Sequence, residues 1–332
     1  MNKIDVVLGL QYGDEGKGKI TNQMAAGGRY DYVMRYNGGG NAGHTIYLNG
    51  NKVVTHLVPC GIFHGIPSVI GSGCVLNLNN FFVELDYLDG LGFDTNLVKV
   101  AYNCHIVTDD HVIEDSTDTK IGTTKTGNGP CYRDKVTRVG KRAEDIKELK
   151  NYLIDFSSNG ASYNILAEGA QGYWLDIDHG DYPYVTSSNC GIGAVINNGF
   201  SHKEINSVIG VAKAYSTYVG AKQYQKTDDP KFEEIRKVGL EYGATTGRSR
   251  QIDWLDLNEV SIACLRNGVD HLIINKLDVL EQIEGCWNIY DPNNSLDNIL
   301  NFEAKDSFKN YIEFEISRNV PGIKIEFQES PL

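Results

Sequence analysis

The run Gly9-Leu10-Gln11-Tyr12-Gly13-Asp14-Glu15-Gly16-Lys17-Gly18-Lys19-Ile20-Thr21 decides how this chain is read, because it follows directly on the apolar stretch Ile4-Asp5-Val6-Val7-Leu8. A buried strand that ends in glycines and opens a helix aims backbone N–H groups and a helix N-terminus at phosphate. Residues 13–19 approach the G-x-x-x-x-G-K-[ST] phosphate loop, but Ile20 stands where a hydroxyl is expected. Asp14 and Glu15 are unusual company for phosphate. A carboxylate there suits a proton acceptor or a Mg²⁺ ligand; the plainer reading is a solvated acidic turn beside two lysines.

Outward from that run, short β-branched segments alternate with helical patterns. This points to an α/β fold: a mostly parallel central sheet flanked by helices, with a P-loop-like nucleotide-binding loop and long functional loops. Strands are expected at 4–10, 31–36, 207–211 and 271–275, and helices at 79–88, 143–156, 255–266 and 307–316. No linker, repeat or low-complexity tract interrupts the 332 residues, so one domain over 1–332 is expected. Many of the 36 glycines cluster where strands end, at 9–18, 38–43, 122–129, 169–172 and 243–247.

With 31 basic and 43 acidic residues the formal charge is −12, which argues against a general nucleic-acid binder, whose footprint is a basic face. Phosphate ligands stay compatible, because cations gather locally at 17–19, 135–142 and 248–250. Apolar stretches such as 69–76 fall short of the ~20 residues that cross a bilayer. The start, Met1-Asn2-Lys3, runs straight into a strand pattern, so a cytoplasmic location without a signal peptide is expected. Seven scattered cysteines without a C-x-x-C spacing read as free thiols.

Further clusters carry chemistry. Asn37-Gly38-Gly39-Gly40-Asn41-Ala42-Gly43-His44-Thr45 combines costly consecutive glycines with a histidine able to donate a proton or pair with phosphate; a structural loop histidine is the alternative. Ile121-Gly122-Thr123-Thr124-Lys125-Thr126-Gly127-Asn128-Gly129, followed by Lys135, Arg138, Lys141 and Arg142, suits a phosphomonoester; a solvated basic helix face competes. Asp176, Asp178 and His179 fit either a metal site or a hydrogen-bonded loop. Gly243-Ala244-Thr245-Thr246-Gly247-Arg248-Ser249-Arg250 suits bidentate recognition of carboxylate or phosphate. Asn275-Lys276-Leu277-Asp278 at a strand end resembles the N-K-x-D run that reads guanine.

Taken in order, Gly13-Asp14-Glu15-Gly16-Lys17-Gly18-Lys19, Asn41-Ala42-Gly43-His44-Thr45, Glu168-Gly169-Ala170-Gln171-Gly172, Asp181-Tyr182-Pro183-Tyr184-Val185-Thr186-Ser187, the run 243–248 and Lys276-Leu277-Asp278 closely resemble the adenylosuccinate synthetase family. The resemblance covers about residues 4–280; 280–332 is not diagnostic. It implies a ligase that cleaves GTP to join L-aspartate to C6 of a 6-oxopurine nucleotide through a 6-phosphoryl intermediate.

The resemblance also implies roles. Asp14 takes the N1 proton and, with the Gly43 carbonyl, binds Mg²⁺; His44 stabilises the transferred phosphoryl group. Lys17, Gly13, Glu15, Gly16, Gly18, Lys19, Thr45 and Arg250 hold GTP, while Lys276 stacks on its guanine and Asp278 reads the edge. Asn41, Thr123, Thr124, Gln171, Leu175, Thr186 and Val219 contact the acceptor nucleotide, as does Arg138 from a second subunit, which implies a homodimer. Thr245, Thr246, Arg248 and Arg250 grip aspartate.

Departures from the family pattern are Asn22 for Asp, Asn37 for Gln, Gly40 for a larger residue, Thr126 and Tyr218 for arginines, and an altered 221–227. The chain looks shorter than the common bacterial form and nearer to archaeal and phage relatives. Phage cousins use dGMP en route to 2-aminoadenine DNA, so dGMP stands beside IMP as acceptor, with the host cytoplasm as the location of a phage-encoded chain. Retained Asp14 speaks for IMP; Lys276 and Asp278 speak for GTP. Two other classes remain: a catalytically degenerate GTP-binding protein, against which Asp14, Lys17, His44 and Arg248 argue, and a plain GTPase switch, against which Ile20 argues.

Overall fold

The computed structural model describes residues 2–48, 50–156, 162–243, 247–293 and 298–328. The strands begin with β1 (Lys3–Gly9), β2 (Tyr32–Arg35), β3 (His44–Leu48), β4 (Asn51–Thr55), β5 (Ser68–Ile70) and β6 (Val75–Asn77). They continue with β7 (Val98–Ala101), β8 (His105–Val107), β9 (Leu153–Ile154), β10 (Asn164–Glu168), β11 (Ile205–Lys213) and β12 (Tyr215–Tyr218). The last are β13 (Gln251–Trp254), β14 (His271–Asn275), β15 (Asn288–Tyr290), β16 (Ile299–Asn301) and β17 (Lys324–Phe327). The helices are α1 (Lys17–Ala26), α2 (Leu78–Gly90), α3 (Asp109–Ser116), α4 (Asn128–Thr137) and α5 (Ile192–Ile196), then α6 (Lys231–Val238), α7 (Leu257–Asn267), α8 (Leu277–Leu280) and α9 (Lys305–Asn319).

Nine strands, among the described residues, form one sheet in the order β17-β14-β11-β1-β10-β2-β5-β7-β9. Every pairing within it is parallel. A near-continuous apolar strand such as β1 is what a parallel sheet covered on both faces requires. Alternation then sorts its residues. Ile4, Val6 and Leu8 pack in one cluster with Val260 and Cys264 of α7 and Phe308 and Ile312 of α9. Val7 packs on the other face with Ile20 and Ala25 of α1. A third cluster under α2 covers the β5-β7 side.

The chain leaves β1 in one direction, towards β2 and β5, and returns through β10 before building β11, β14 and β17 on the other side. In such open sheets ligands bind outside the carboxyl ends of the strands where the order reverses. The loops after β1, β2 and β10 carry the glycine-rich runs 9–18, 38–43 and 169–172, while 122–129 lies between α3 and the first turn of α4 and 243–247 between α6 and β13.

One expected helix is absent. Residues 143–156 form two 3-10 turns, Ala143–Asp145 and Lys147–Leu149, and then β9. The Asp145 carboxylate accepts from Arg142 N at 3.2 Å, and the sheet edge captures the remainder, with Val100 N donating to Tyr152 O at 2.8 Å and Tyr102 N to Ile154 O at 3.1 Å. Local side-chain bonding and edge pairing override the helical spacing.

Candidate active site

The glycine-rich loops enclose one cavity of about 530 Å³. The β1–α1 loop reaches it through left-handed backbone at Gly13, Asp14 and Gly16, with φ of 88°, 60° and 92°. Inside that loop the Glu15 carboxylate is fully buried and accepts from Gln11 N at 3.1 Å, Gly13 N at 2.9 Å and Lys17 Nζ at 2.6 Å. Glu15 was expected to hold GTP; its side chain instead faces inward as the loop's internal strut, and it does not line the cavity. Lys17 lines the cavity but is only 4% exposed and ion-paired to Glu15. Gln11 staples the loop to the β11–β12 turn, accepting from Lys213 N at 2.8 Å and donating to Tyr215 O at 3.2 Å.

His44 opens β3 beside α1. A Cβ on Gly18 would sit 3.2 Å from His44 Cβ, so glycine lets the helix approach the imidazole this closely. His44 Nδ1 is 2.7 Å from Glu168 Oε1, and Arg35 from β2 pairs with the same carboxylate, Nε at 3.0 Å. Arg35 Nη2 also lies 3.1 Å from this nitrogen, but the Glu168 contact is the shorter and a carboxylate only accepts, which assigns the ring proton to Nδ1 and leaves Nε2 as the nitrogen without a protein partner among the described residues. Burial, then the Arg35 charge, push His44 below the usual histidine range against the pull of Glu168, so the ring is neutral at pH 7. Burial works to raise Glu168, but Arg35 and His44 outweigh it and hold the carboxyl well below the ordinary range.

Opposite, Arg250 precedes β13, which pairs antiparallel with β12 (Tyr218↔Gln251). Its guanidinium spans two carboxylates: Nη2 lies 2.9 Å from Asp14 Oδ2, and Nη1 pairs with buried Glu241. Arg248 ties the same loop to the phosphomonoester-type run, donating to Gly122 O at 3.1 Å and Thr123 O at 3.3 Å. Lys276 caps α8 with φ 70° and donates from Nζ to Gly239 O at 3.2 Å.

Most of the expected groups converge. Gly13, Asp14, Gly16, Lys17, Gly18, Lys19, Asn41, Gly43, His44, Thr45, Thr123, Thr124, Gln171, Leu175, Thr186, Val219, Arg248, Arg250, Lys276 and Asp278 all line the cavity. Thr245 and Thr246 lie outside the described residues. Arg138, at the end of α4, is exposed and not on the cavity wall of its own chain. The metal reading of Asp176, Asp178 and His179 gives way to the loop reading: Asp176 Oδ1 accepts from Asp178 N at 2.9 Å and His179 N at 3.2 Å, and Oδ2 from Cys190 N at 2.5 Å. The cysteines are all free and buried.

Sequence reading missed the supports. Arg35, Glu168, Lys213 and Glu241 are buried charged residues, at most 2% exposed, that hold the cavity groups. Their signal was a charge at the end of a strand otherwise buried, as at Arg35, Glu168 and Lys213. It also gave no role to Tyr12 and Tyr184 on the wall; Tyr218, noted there only as standing in place of an arginine, meets Tyr12 edge-on at 5.9 Å.

A parallel α/β sheet with a phosphate-type loop, a carboxylate–arginine pair and a guanine-type N-K-L-D run at one cavity defines a nucleotide-dependent enzyme. The family model for adenylosuccinate synthetase matches residues 6–158 and 148–287, and the chain belongs to that family, a GTP-dependent carbon–nitrogen ligase. It is 39% identical over 335 residues to the adenylosuccinate synthetase of Thermodesulfovibrio yellowstonii, covering 84% of this chain and 78% of the relative. To that of Brevibacillus brevis it is 38% identical over 336 residues, with the same coverage. The solved structure of fully ligated adenylosuccinate synthetase from Plasmodium falciparum superposes with a TM-score of 0.84 at 28% identity, covering 99% of this chain and 98% of that one. The cyanophage S-2L succinoaminodeoxyadenylate synthetase, bound to dGMP and dATP, shares the fold at TM-score 0.69 and 21% identity, covering 95% and 99%.

Proposed function

We propose that this chain joins L-aspartate to C6 of IMP with cleavage of GTP to GDP and phosphate, yielding adenylosuccinate. The observation that carries the reading is the convergence of Asp14, His44 and Arg250 on one cavity with Lys276 and Asp278. Asp14 takes the N1 proton, which makes O6 nucleophilic towards the γ-phosphorus. As O6 attacks, GDP leaves and the 6-phosphoryl nucleotide forms. The aspartate amine then attacks C6, and phosphate departs with the C6–O6 bond.

His44, held by Glu168 through Nδ1, takes up a proton at Nε2 when the phosphoryl anion enters beside it, and Nε2–H then donates to the transferring group; fixed donors of this kind act on the transition state with little reorganisation. The loop amides, Lys17 and Lys19 hold the phosphates, and Asp278 accepts from the guanine N1–H and 2-amino group. Asn41, Gln171, Thr123, Thr124, Leu175, Thr186 and Val219 take the acceptor nucleotide; Arg248, Arg250, Thr245 and Thr246 take the aspartate carboxylates. The Asp14 carboxylate and Gly43 carbonyl are hard oxygen donors on the same wall, a set that fits Mg²⁺. When bound there, Mg²⁺ would neutralise phosphate charge. Exposed Arg138 reaching the cavity of a second copy makes the working form a homodimer, and we place it in the cytoplasm; no described helix is long and apolar enough to cross a membrane.

A substrate matrix tests the reading: IMP, dIMP, GMP and dGMP against GTP, ATP and dATP, monitored for the succinylaminopurine chromophore. Product from IMP and GTP is expected, and no product from any pair overturns the enzyme reading. The dGMP arm is included because Tyr218, 3% exposed, stands on the cavity wall where the family pattern has arginine. A preference for dGMP over IMP of about tenfold, ~1.4 kcal/mol, would select that acceptor. Arg138→Ala should raise KM for the acceptor at least about tenfold and leave KM for GTP unchanged.

A further inference from the structure

Glu241 lies just behind the cavity wall and is fully buried. Three donors converge on its carboxylate: Tyr215 OH at 2.6 Å, Lys213 Nζ at 3.5 Å and Arg250 Nη1. Burial works to raise its pKa, but Lys213 and then Arg250 outweigh it and bring it down to about 2, so it is an anion throughout the neutral range.

The backbone is arranged around the same contact. Glu241 follows Leu240, a non-glycine residue at φ 51°, and a conformation of that cost persists only where the surroundings over-determine it. The turn is closed by Glu241 N donating to Arg236 O at 3.0 Å. A Cβ on Gly239 would come within 2.7 Å of Tyr215 OH, so the turn presses directly on the carboxylate's partner. Arg250 N donates to Glu241 O at 3.0 Å, and Arg236 Nε donates to Arg250 O at 2.9 Å. Residue 241 therefore holds Arg250 by main chain and side chain together.

The guanidinium is thereby divided. One nitrogen goes to Glu241, one to Asp14, and Nε is buried without a partner among the described residues. We propose that Glu241 is a positioning residue: it anchors Arg250 so that the guanidinium meets Asp14 through one nitrogen only and keeps its remaining capacity for an anionic substrate. Without that anchor, the fork geometry of arginine favours closing both terminal nitrogens on Asp14, which occupies the oxygens of the proton acceptor. The inference rests on the roles given above to Asp14 and Arg250.

The test is a double-mutant cycle on the full chain, with steady-state kinetics and thermal unfolding for wild type, Glu241→Gln, Arg250→Ala and the double variant. Glu241→Gln is expected to lower kcat/KM at least tenfold, and the double variant to be no worse than Arg250→Ala alone. Glu241→Asp, which keeps the charge but shortens its reach, should show a smaller loss that also vanishes in the Arg250→Ala background; it serves if the glutamine variant does not fold. Tyr215→Phe removes another partner of the same carboxylate, and should lower Tm while leaving kcat/KM within twofold. Losses at 241 and 250 that multiply, or a kinetic loss in Tyr215→Phe equal to that of Glu241→Gln, would overturn the proposal. So would full activity of Glu241→Gln beside a crippled Arg250→Ala. Full activity of Arg250→Ala would instead remove the substrate role of Arg250, and this proposal with it.

Discussion

Asp14 Oδ2 and Arg250 Nη2 lie 2.9 Å apart, a pair that joins the loop after the first strand to the segment that enters β13. A guanidinium does not take a proton near neutrality, so it steers Asp14 electrostatically and leaves the carboxylate as the group able to accept one. Asp14→Ala should therefore lower kcat by about three orders of magnitude, within the range of a lost acid–base group. GTP affinity, measured by calorimetry without Mg²⁺ so that the carboxylate's metal-holding role does not enter, should stay within about threefold. Loss of GTP binding in step with activity would make Asp14 a nucleotide ligand rather than a proton acceptor.

Gly18→Ala separates stability from chemistry. Inside α1 an alanine is preferred over glycine by about 1 kcal/mol, yet the new Cβ would meet His44 Cβ at 3.2 Å. The expected outcome is an unchanged or slightly raised Tm with kcat reduced about tenfold. An unaltered kcat would show that the His44 position tolerates the displacement.

Asp278→Asn exchanges an acceptor-only group for one that donates. Guanine offers N1–H and the 2-amino group, whereas xanthine presents a carbonyl at C2. The variant should lose at least about tenfold in kcat/KM with GTP and gain on XTP. Equal use of GTP by the two proteins would place the base elsewhere in the cavity.

Glu259 links stability to pH. Burial first, and Asp256 second, raise it from 4.5 to about 7, and Tyr12 OH donates to it at 3.3 Å. Between those values the unfolded chain has released this proton while the folded chain retains it. The contribution is thus fully present below pH 4.5 and is lost as pH rises through 7. Glu259→Gln removes the titration. Its stability relative to wild type should improve by roughly 3 kcal/mol between pH 4.5 and pH 8, read from denaturant unfolding at each pH. A pH-independent difference would mean that Glu259 titrates at its ordinary value.

Near-range features were legible in the residues themselves. The apolar run 4–8 followed by a glycine-rich turn defined β1, its loop and α1, because a strand buried on both faces admits little else. The motif order placed Asp14, His44, Gln171, Arg248 and Lys276 at one site, and all line one cavity. The segment 143–156 failed because its helical spacing competed with an edge-strand pairing to β7, which no local pattern encodes.

What the sequence alone determined was the set of chemical groups and the α/β frame, since periodicity and turn chemistry are local. Only the tertiary structure decided which charges face the cavity and which support it. Glu15 and Asp14 are neighbours in a run that reads alike, yet one is sealed inside the loop and the other meets Arg250. Arg35, Glu168 and Glu241 act through partners more than eight positions away in the chain or on another strand. Burying a charge is tolerable only where an opposite charge and hydrogen bonds converge on it. That convergence comes from strand order and loop crossing, which are properties of the fold and not of any single stretch of residues.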